Sequence, residues 1–414
     1  MSAYIVGGGR PLEGSVEVHG AKNSVLPILA ACLLAPEECV IHSCPDLSDV
    51  TASLDILRHL GCRAERQGDT VVVDASGPTG CDVPDALMRE MRSSVIFLGA
   101  VLGRMGEAKL CTPGGCELGP RPIDLHLAAI RAMGGSIEER GGGLHCTGPL
   151  YGADVVLSIP SVGATENIML AAVAAKGTTT ITNAAREPEI VDLQTFLRQL
   201  GADVRGAGSS VIVVRGGKRL HGGEHRVMGD RIVAATYLAA AASAGGQVEV
   251  TGVDYRHLST VTSVLSEAGC VVKSGPDRVY LRSAPLRGVR PVRTAPYPGF
   301  PTDAQAPLMA ALAKSSGCTV FVENMFESRY RHVDELARMG ADIHVEGRVA
   351  VVYGVPALHG AQVQATDLRG GAALVVAALG AEGESRITGL HHIDRGYQDL
   401  VGDLTLLGAD IRRE

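Results

Sequence analysis

The stretch FLRQLGADVR, residues 196–205, compresses a helix end, a turn and a strand start into ten residues. Phe196, Leu197 and Leu200 stand three and four apart, the spacing of one helix face. Gly201 follows where a helix stops in a left-handed conformation that glycine enters without strain. Beyond it Ala202 and Val204 alternate with Asp203 and Arg205, the period of a half-buried strand. The phrase recurs as ILRHLGCRAE at 56–65, AIRAMGGSIE at 129–138, VLSEAGCVVK at 264–273, ELARMGADIH at 335–344 and DLTLLGADIR at 403–412. The six central glycines, Gly61, Gly134, Gly201, Gly269, Gly340 and Gly408, are 67 to 73 residues apart.

A second strand usually follows, such as TVVVDA from Thr70 or RVAVVYG from Arg348, and an Ala-rich helix and strand precede, as in ATENIMLAAVAAKGTTTITNAA from Ala164. Each unit is thus α/β and about 70 residues long, beyond the 20–50 of solenoid repeats. A propeller blade would be all strand. Six such units predict two domains of three. The chain therefore divides into residues 22–228, and 229–414 joined by the N-terminal strand in 1–21.

Charge and composition exclude several function classes. The 414 residues carry a net charge of −7 with no run of like charges. No basic stripe for a nucleic-acid backbone is present, and with 3 % aromatics there are few platforms for bases. Ten cysteines contain no C-x-x-C pair, so neither zinc nor a disulfide framework is expected, and reduced thiols in a cytoplasm fit best. The start, MSAYIVGGGRPLEG, has no signal-peptide pattern. The longest apolar run, Ile232 to Gly246, is too short for a bilayer and reads as a buried helix. No P-loop occurs, the glycines of IVGGGRPLEG lack dinucleotide-binding spacing, and His391–His392 has no further ligands at helical spacing, so no metal is expected.

Several segments carry candidate chemistry. TPGGCELGPRPIDLH, 112–126, places Cys116 on a Gly/Pro-rich loop with Arg121 close enough to favour a thiolate. From the residues alone, a working thiol and an incidental loop cysteine stand level. HGAKNSVLPILAA places Lys22 and Asn23 at a helix start, where Asn caps and a neighbouring Lys makes an anion pocket, or where both are plain capping and solvation. Arg92, Arg231 and Arg369 read as helix-opening arginines, and Arg329 and Arg395 as analogous ones, able to converge on one anion. Asp303, in FPTDAQAP, reads first as an N-cap and then as a general base. SVGATENIM, from Ser161, is a turn feeding a helix whose N–H groups can take a phosphate.

Taken together, GAKNSVLPILAA, MRSS, PGGCELGPRPIDLH, SVGATENIM, NAAREPEIVDL, FPTDAQAP, ATDLR and HIDRGY resemble the enolpyruvyl transferases along essentially the whole chain. The resemblance implies a two-domain inside-out α/β barrel, three repeats per domain, with the active site in the cleft between the domains. It implies transfer of the enolpyruvyl group of phosphoenolpyruvate to the 3′-hydroxyl of UDP-N-acetylglucosamine, releasing phosphate, as the first committed step toward peptidoglycan. The nearby 5-enolpyruvylshikimate-3-phosphate synthases lack the cysteine loop. By the same resemblance Lys22, Arg121, Arg369 and Arg395 match positions that hold phosphoenolpyruvate. Asn23, Arg92, Arg121, Pro122, Ile123, Asp124, Leu125, Ser161, Val162, Gly163, Asp303 and Met325 match nucleotide-sugar contacts, and Arg329 lies beside them. Cys116 matches a lid cysteine that protonates C-3, carries a covalent phospholactoyl adduct and is alkylated by fosfomycin. Asp303 matches the residue facing the 3′-hydroxyl. No cofactor, nucleic acid or membrane partner is implied, and the oligomeric state is left open, a monomer included. Ile159 stands where some members have Lys, removing one charge near the diphosphate.

Overall fold

The computed structural model describes residues 2–77, 80–91, 94–111, 123–140 and 142–414. Contacts divide the chain into two units, one holding residues up to His19 and from Gly229 onward, the other running from Gly20 to Met228.

Three central helices lie in each unit. In the unit from Gly20 they are α1 (Lys22–Cys32), α2 (Phe97–Met105) and α3 (Val162–Ala174). In the other they are α4 (Arg231–Ala244), α5 (Thr302–Leu312) and α6 (Leu368–Leu379). These are not ordinary amphipathic helices. Every residue of α4 from Arg231 to Ser243 is buried, and every residue of α6 from Arg369 to Leu379. A helix buried on all sides has no polar face to give it a 3.6-residue stripe. Ala and Gly dominate because such helices pack against one another and against sheets at once. At Gly99 in α2 a Cβ would fall 2.3 Å from the Asn167 carbonyl oxygen of α3, so only glycine allows that crossing.

Sheets form the outer layer. Among the described residues there are six four-stranded sheets, three in each unit. The sheet built around α5 shows the plan. Val292–Arg293 pairs in parallel with Cys318–Val322, which pairs antiparallel with Val349–Tyr353, which pairs antiparallel with Asp342–Glu346. Ala350 and Val352 face inward, while Val349 and Tyr353 are exposed. Within each unit the three central helices form the interior, and the sheets lie outside them together with a second set of helices, the reverse of a common α/β layering. Two sheets of the 229–414 unit are completed by the N-terminus: Tyr4–Gly7 sits between Glu384–Thr388 and Asp410–Arg413, and Leu12–Glu17 lies parallel to Gly246–Thr251.

The recurring phrase forms the junction expected from its sequence. Outer helices Ser48–His59, Asp124–Ala132, Pro188–Gln199, Ser259–Glu267, Val333–Arg338 and Leu400–Leu406 each end two residues before the glycine. All six glycines have φ between 87° and 113°, so each is the left-handed residue just past a helix end.

Polar ends of the buried helices need partners. At the C-terminal end of the α4–α6 set, Lys314 Nζ donates to the Gly380 carbonyl at 2.5 Å and reaches the Ser243 carbonyl at 3.4 Å. One ammonium thereby serves carbonyls at the ends of two helices from just beyond a third. Replacing Lys314 with Met keeps the stem and removes the donor. The expected loss is about 1–3 kcal/mol of unfolding free energy, the cost of leaving buried carbonyls unsatisfied, read from urea midpoints.

Candidate active site

In the unit from Gly229, the N-terminal ends of α4, α5 and α6 gather charged side chains. Asp230 caps α4, accepting from the Ile232 and Val233 amides at 2.8 and 3.0 Å. Asp367 caps α6, accepting from the Arg369 and Gly370 amides at 3.1 and 3.0 Å. Arg231, next after Asp230, and Arg369, two residues after Asp367, are buried at 6 % and 3 % exposure. Arg231 lies over the Tyr297 ring, 5.7 Å from its centroid.

Asp303 is the centre of this constellation. Its Oδ1 accepts from Arg329 Nη2 at 2.7 Å, and its Oδ2 from Arg369 Nη2 and Nε at 3.2 and 3.3 Å. Burial pulls on the Arg369 cation, but Tyr397, Asp303 and Asp230 outweigh it and raise its pKa. Arg329 also donates to the Thr302 carbonyl at 3.2 Å and lies over Phe326. Glu323 ties the neighbouring loop to α5: it accepts from the Thr302 hydroxyl and from the Met325 and Phe326 amides at 3.0, 2.8 and 3.0 Å. Met325 is thereby held with its side chain exposed.

Two expectations need correcting here. Asp303 does not cap its helix. Pro301 occupies the cap, and Asp303 lies in the first turn with its carboxylate turned to the arginines. Arg329 and Arg395 do not open helices either. Arg329 precedes Val333–Arg338 by four residues, and Arg395 lies between Leu390–Ile393 and Leu400–Leu406. The reading rested on local sequence, and only the fold decides which arginine reaches a helix start.

The unit from Gly20 carries a second constellation. Lys22 opens α1 and is buried, its Nζ 2.6 Å from Asp49 Oδ2. Asn23 is exposed and is not the cap, because Ala21 takes that place without a side-chain bond. The helix starts earlier than the capping preference of Asn implies, since Gly20 and Ala21 already turn the chain. Ser161 does cap α3, its Oγ accepting from the Ala164 amide at 3.3 Å. Val162 and Gly163 form the first turn that follows.

Ile123 caps Asp124–Ala132, Asp124 and Leu125 begin it, and the next residue, His126, joins them to α3. Its Nδ1 pairs with Asn167 Nδ2 at 2.9 Å. The Asn167 amide is itself fixed, with Nδ2 2.6 Å from the Val95 carbonyl and Oδ1 2.5 Å from the Gly99 amide. His126 must therefore carry its proton on Nε2, which would lie 3.6 Å from a Cβ at Gly163. Burial pulls the His126 pKa down to about 4, slightly opposed by Asp124. Nearby in α3, Glu166 is buried with Oε1 lacking a partner, and burial beside Glu189 and Glu187 raises its pKa.

Arg92, Cys116, Arg121 and Pro122 lie outside the described residues. Asp49, His126, Asn167, Glu323 and Tyr397 belong to these constellations without having been singled out from sequence. Asp49 looks like an ordinary acidic residue in an outer helix, and nothing local marks it as the partner of Lys22. Tyr397 had a signal, because it closes the HIDRGY motif. Among the described residues no His, Cys, Asp and Glu cluster can hold a metal, and no helix is long and apolar enough to cross a membrane.

Comparison with known proteins gives consistent results. Residues 6–404 match the family of EPSP synthase (3-phosphoshikimate 1-carboxyvinyltransferase). The chain is 49 % identical to UDP-N-acetylglucosamine 1-carboxyvinyltransferase 2 of Caldanaerobacter subterraneus subsp. tengcongensis, covering 100 % of both. It is 50 % identical to UDP-N-acetylglucosamine 1-carboxyvinyltransferase 1 of Symbiobacterium thermophilum over 99 % of this chain and 95 % of that one. Among solved structures, the enolpyruvyl transferase NikO from Streptomyces tendae superposes with a TM-score of 0.89 at 29 % identity, covering 100 % of this chain and 98 % of that one. EPSP synthase from Acinetobacter baumannii, at 19 % identity, 0.77 and full coverage of both chains, shares the fold.

The His126 geometry has a measurable consequence. A histidine with pKa about 4 when folded and 6.5 when unfolded is fully stabilising above 6.5 and loses that contribution as pH falls toward 4. In His126→Gln the contribution is absent. Between pH 6.5 and 4 the difference in unfolding free energy should shift toward the variant by about 3 kcal/mol, measured by urea titration at each pH.

Proposed function

The chain belongs to the EPSP synthase family, the enolpyruvyl transferases, and from that premise we propose that it transfers enolpyruvate from phosphoenolpyruvate to the 3′-hydroxyl of UDP-N-acetylglucosamine. The full-length identity to two transferases named for that acceptor supports the reaction. The observation that carries it to this chain's residues is the Asp303 carboxylate held by two buried arginines in the first turn of α5.

The chemistry follows from the groups. The acceptor oxygen forms a bond to C-2 of phosphoenolpyruvate while its proton passes to Asp303. C-3 takes a proton from Cys116, giving a tetrahedral phospholactoyl ketal. Loss of a C-3 proton and departure of phosphate then restore the enol ether. Lys22, Arg121, Arg369 and Arg395 supply the positive charge that holds phosphate and carboxylate. Asn23, Arg92, 121–125, Ser161, Val162, Gly163, Met325 and Arg329 take the nucleotide sugar, the α3 N-terminus suiting its diphosphate. Cys116 also adds its S–H across the double bond, sulfur to C-2 and proton to C-3, forming a covalent adduct. No cofactor is needed, because phosphoenolpyruvate brings the activated group. Both substrates are metabolites of the cytoplasm, where this step of peptidoglycan synthesis belongs.

The reaction is tested by phosphate release from phosphoenolpyruvate, dependent on UDP-N-acetylglucosamine. Fosfomycin pretreatment should abolish it and add one mass increment at Cys116, whereas Cys116→Asp should keep turnover and resist the drug. No release from protein that still binds the nucleotide sugar would overturn the assignment. Asp303→Asn should lower kcat by about 10²–10⁴ through loss of the base. Ile159→Lys should lower KM for the nucleotide sugar a few-fold by adding a charge contact.

A further inference from the structure

Tyr397 closes the HIDRGY motif and is buried at 2 % exposure. Its hydroxyl lies 2.8 Å from Thr236 Oγ1 and 3.3 Å from Arg369 Nη1. Arg369 also lies over the Tyr397 ring, 5.6 Å from its centroid, within cation–π range.

Proton bookkeeping gives this contact a direction. Thr236 donates its single hydroxyl hydrogen to the Ile232 carbonyl of its own helix at 2.9 Å. Thr236 can therefore only accept from Tyr397. The Tyr397 hydrogen is thus used, and its oxygen faces Arg369 with lone pairs alone. A backbone carbonyl of α4 in this way fixes, through two hydroxyls, which atom receives Nη1. The opposite edge of the same guanidinium, Nε and Nη2, faces Asp303 Oδ2 at 3.3 and 3.2 Å. With one edge held by a one-way acceptor and the other by a carboxylate, the plane of Arg369 is set.

We propose that Tyr397 is a positioning residue for phosphoenolpyruvate, acting through Arg369: together with Thr236 it fixes the guanidinium plane so that the remaining N–H bonds meet an anionic substrate. The inference rests on the reading above that Arg369 holds phosphoenolpyruvate. Its effect falls first on that substrate, because neither Tyr397 nor Thr236 is among the nucleotide-sugar residues and Asp303 keeps its second arginine, Arg329.

Tyr397→Phe keeps the ring and removes the acceptor. KM for phosphoenolpyruvate should rise about tenfold, the size of a lost hydrogen bond to a charged group, while KM for UDP-N-acetylglucosamine stays within about twofold. In an Arg369→Lys background the same change should add almost nothing, since its route of action is already gone. Thr236→Val should reproduce part of the effect and Thr236→Ser should restore it. An equal rise in both KM values would overturn the proposal, as would additive effects of Tyr397→Phe and Arg369→Lys. A lowered melting temperature with unchanged KM values would also overturn it. Wild-type phosphate release is the control for the reaction itself. Should the wild type not turn over, calorimetric titration of phosphoenolpyruvate decides: tenfold weaker binding to Tyr397→Phe supports the positioning role, and equal binding ends it.

Discussion

A helix buried on all sides must satisfy its terminal N–H and C=O groups without bulk water. That constraint shapes each unit of this protein. Asp230, Asp367 and Ser161 meet it at three N-termini, and Lys314 meets it at C-terminal carbonyls. The polar side chains are there because the fold puts helix ends inside. Once such ends are gathered, their aligned dipoles make a region suited to anions.

Arginines at those ends bring a second requirement. A buried guanidinium is tolerable only when paired and hydrogen-bonded. Asp303 answers Arg329 and Arg369 together, and Tyr397 answers Arg369 on its other edge. The result is a rigid set of charges with fixed directions. Rigid charge is what stabilisation of a phosphate-bearing transition state requires, since donors already in place need no reorganisation.

The sequence made much of this legible, and the reasons differ by residue. Gly201 and its five counterparts were readable because a left-handed turn after a helix is a local demand that glycine meets best. The turn feeding a helix at Ser161 was readable from its local pattern, and the structure adds that Ser161 Oγ caps that helix. Asp303 and Asn23 were misread as caps because capping preference names residue types, while the true helix start depends on which neighbour already has extended backbone. Asp49, His126 and Glu323 were silent. Their partners lie 27 residues away for Lys22 and Asp49, 41 for His126 and Asn167, and 21 for Glu323 and Thr302, and no local pattern reports such pairing.

By itself the sequence determined the six α/β repeats, their helix–glycine–strand junctions and the motifs that carry the family chemistry. These are properties of residues close along the chain, set by backbone sterics and hydrophobic period. Tertiary structure decided which charges meet. Asp303 can stand between Arg329 and Arg369 only after α5, α6 and the loop before Val333 have packed, because burial and a separation of 66 residues make that contact a result of folding.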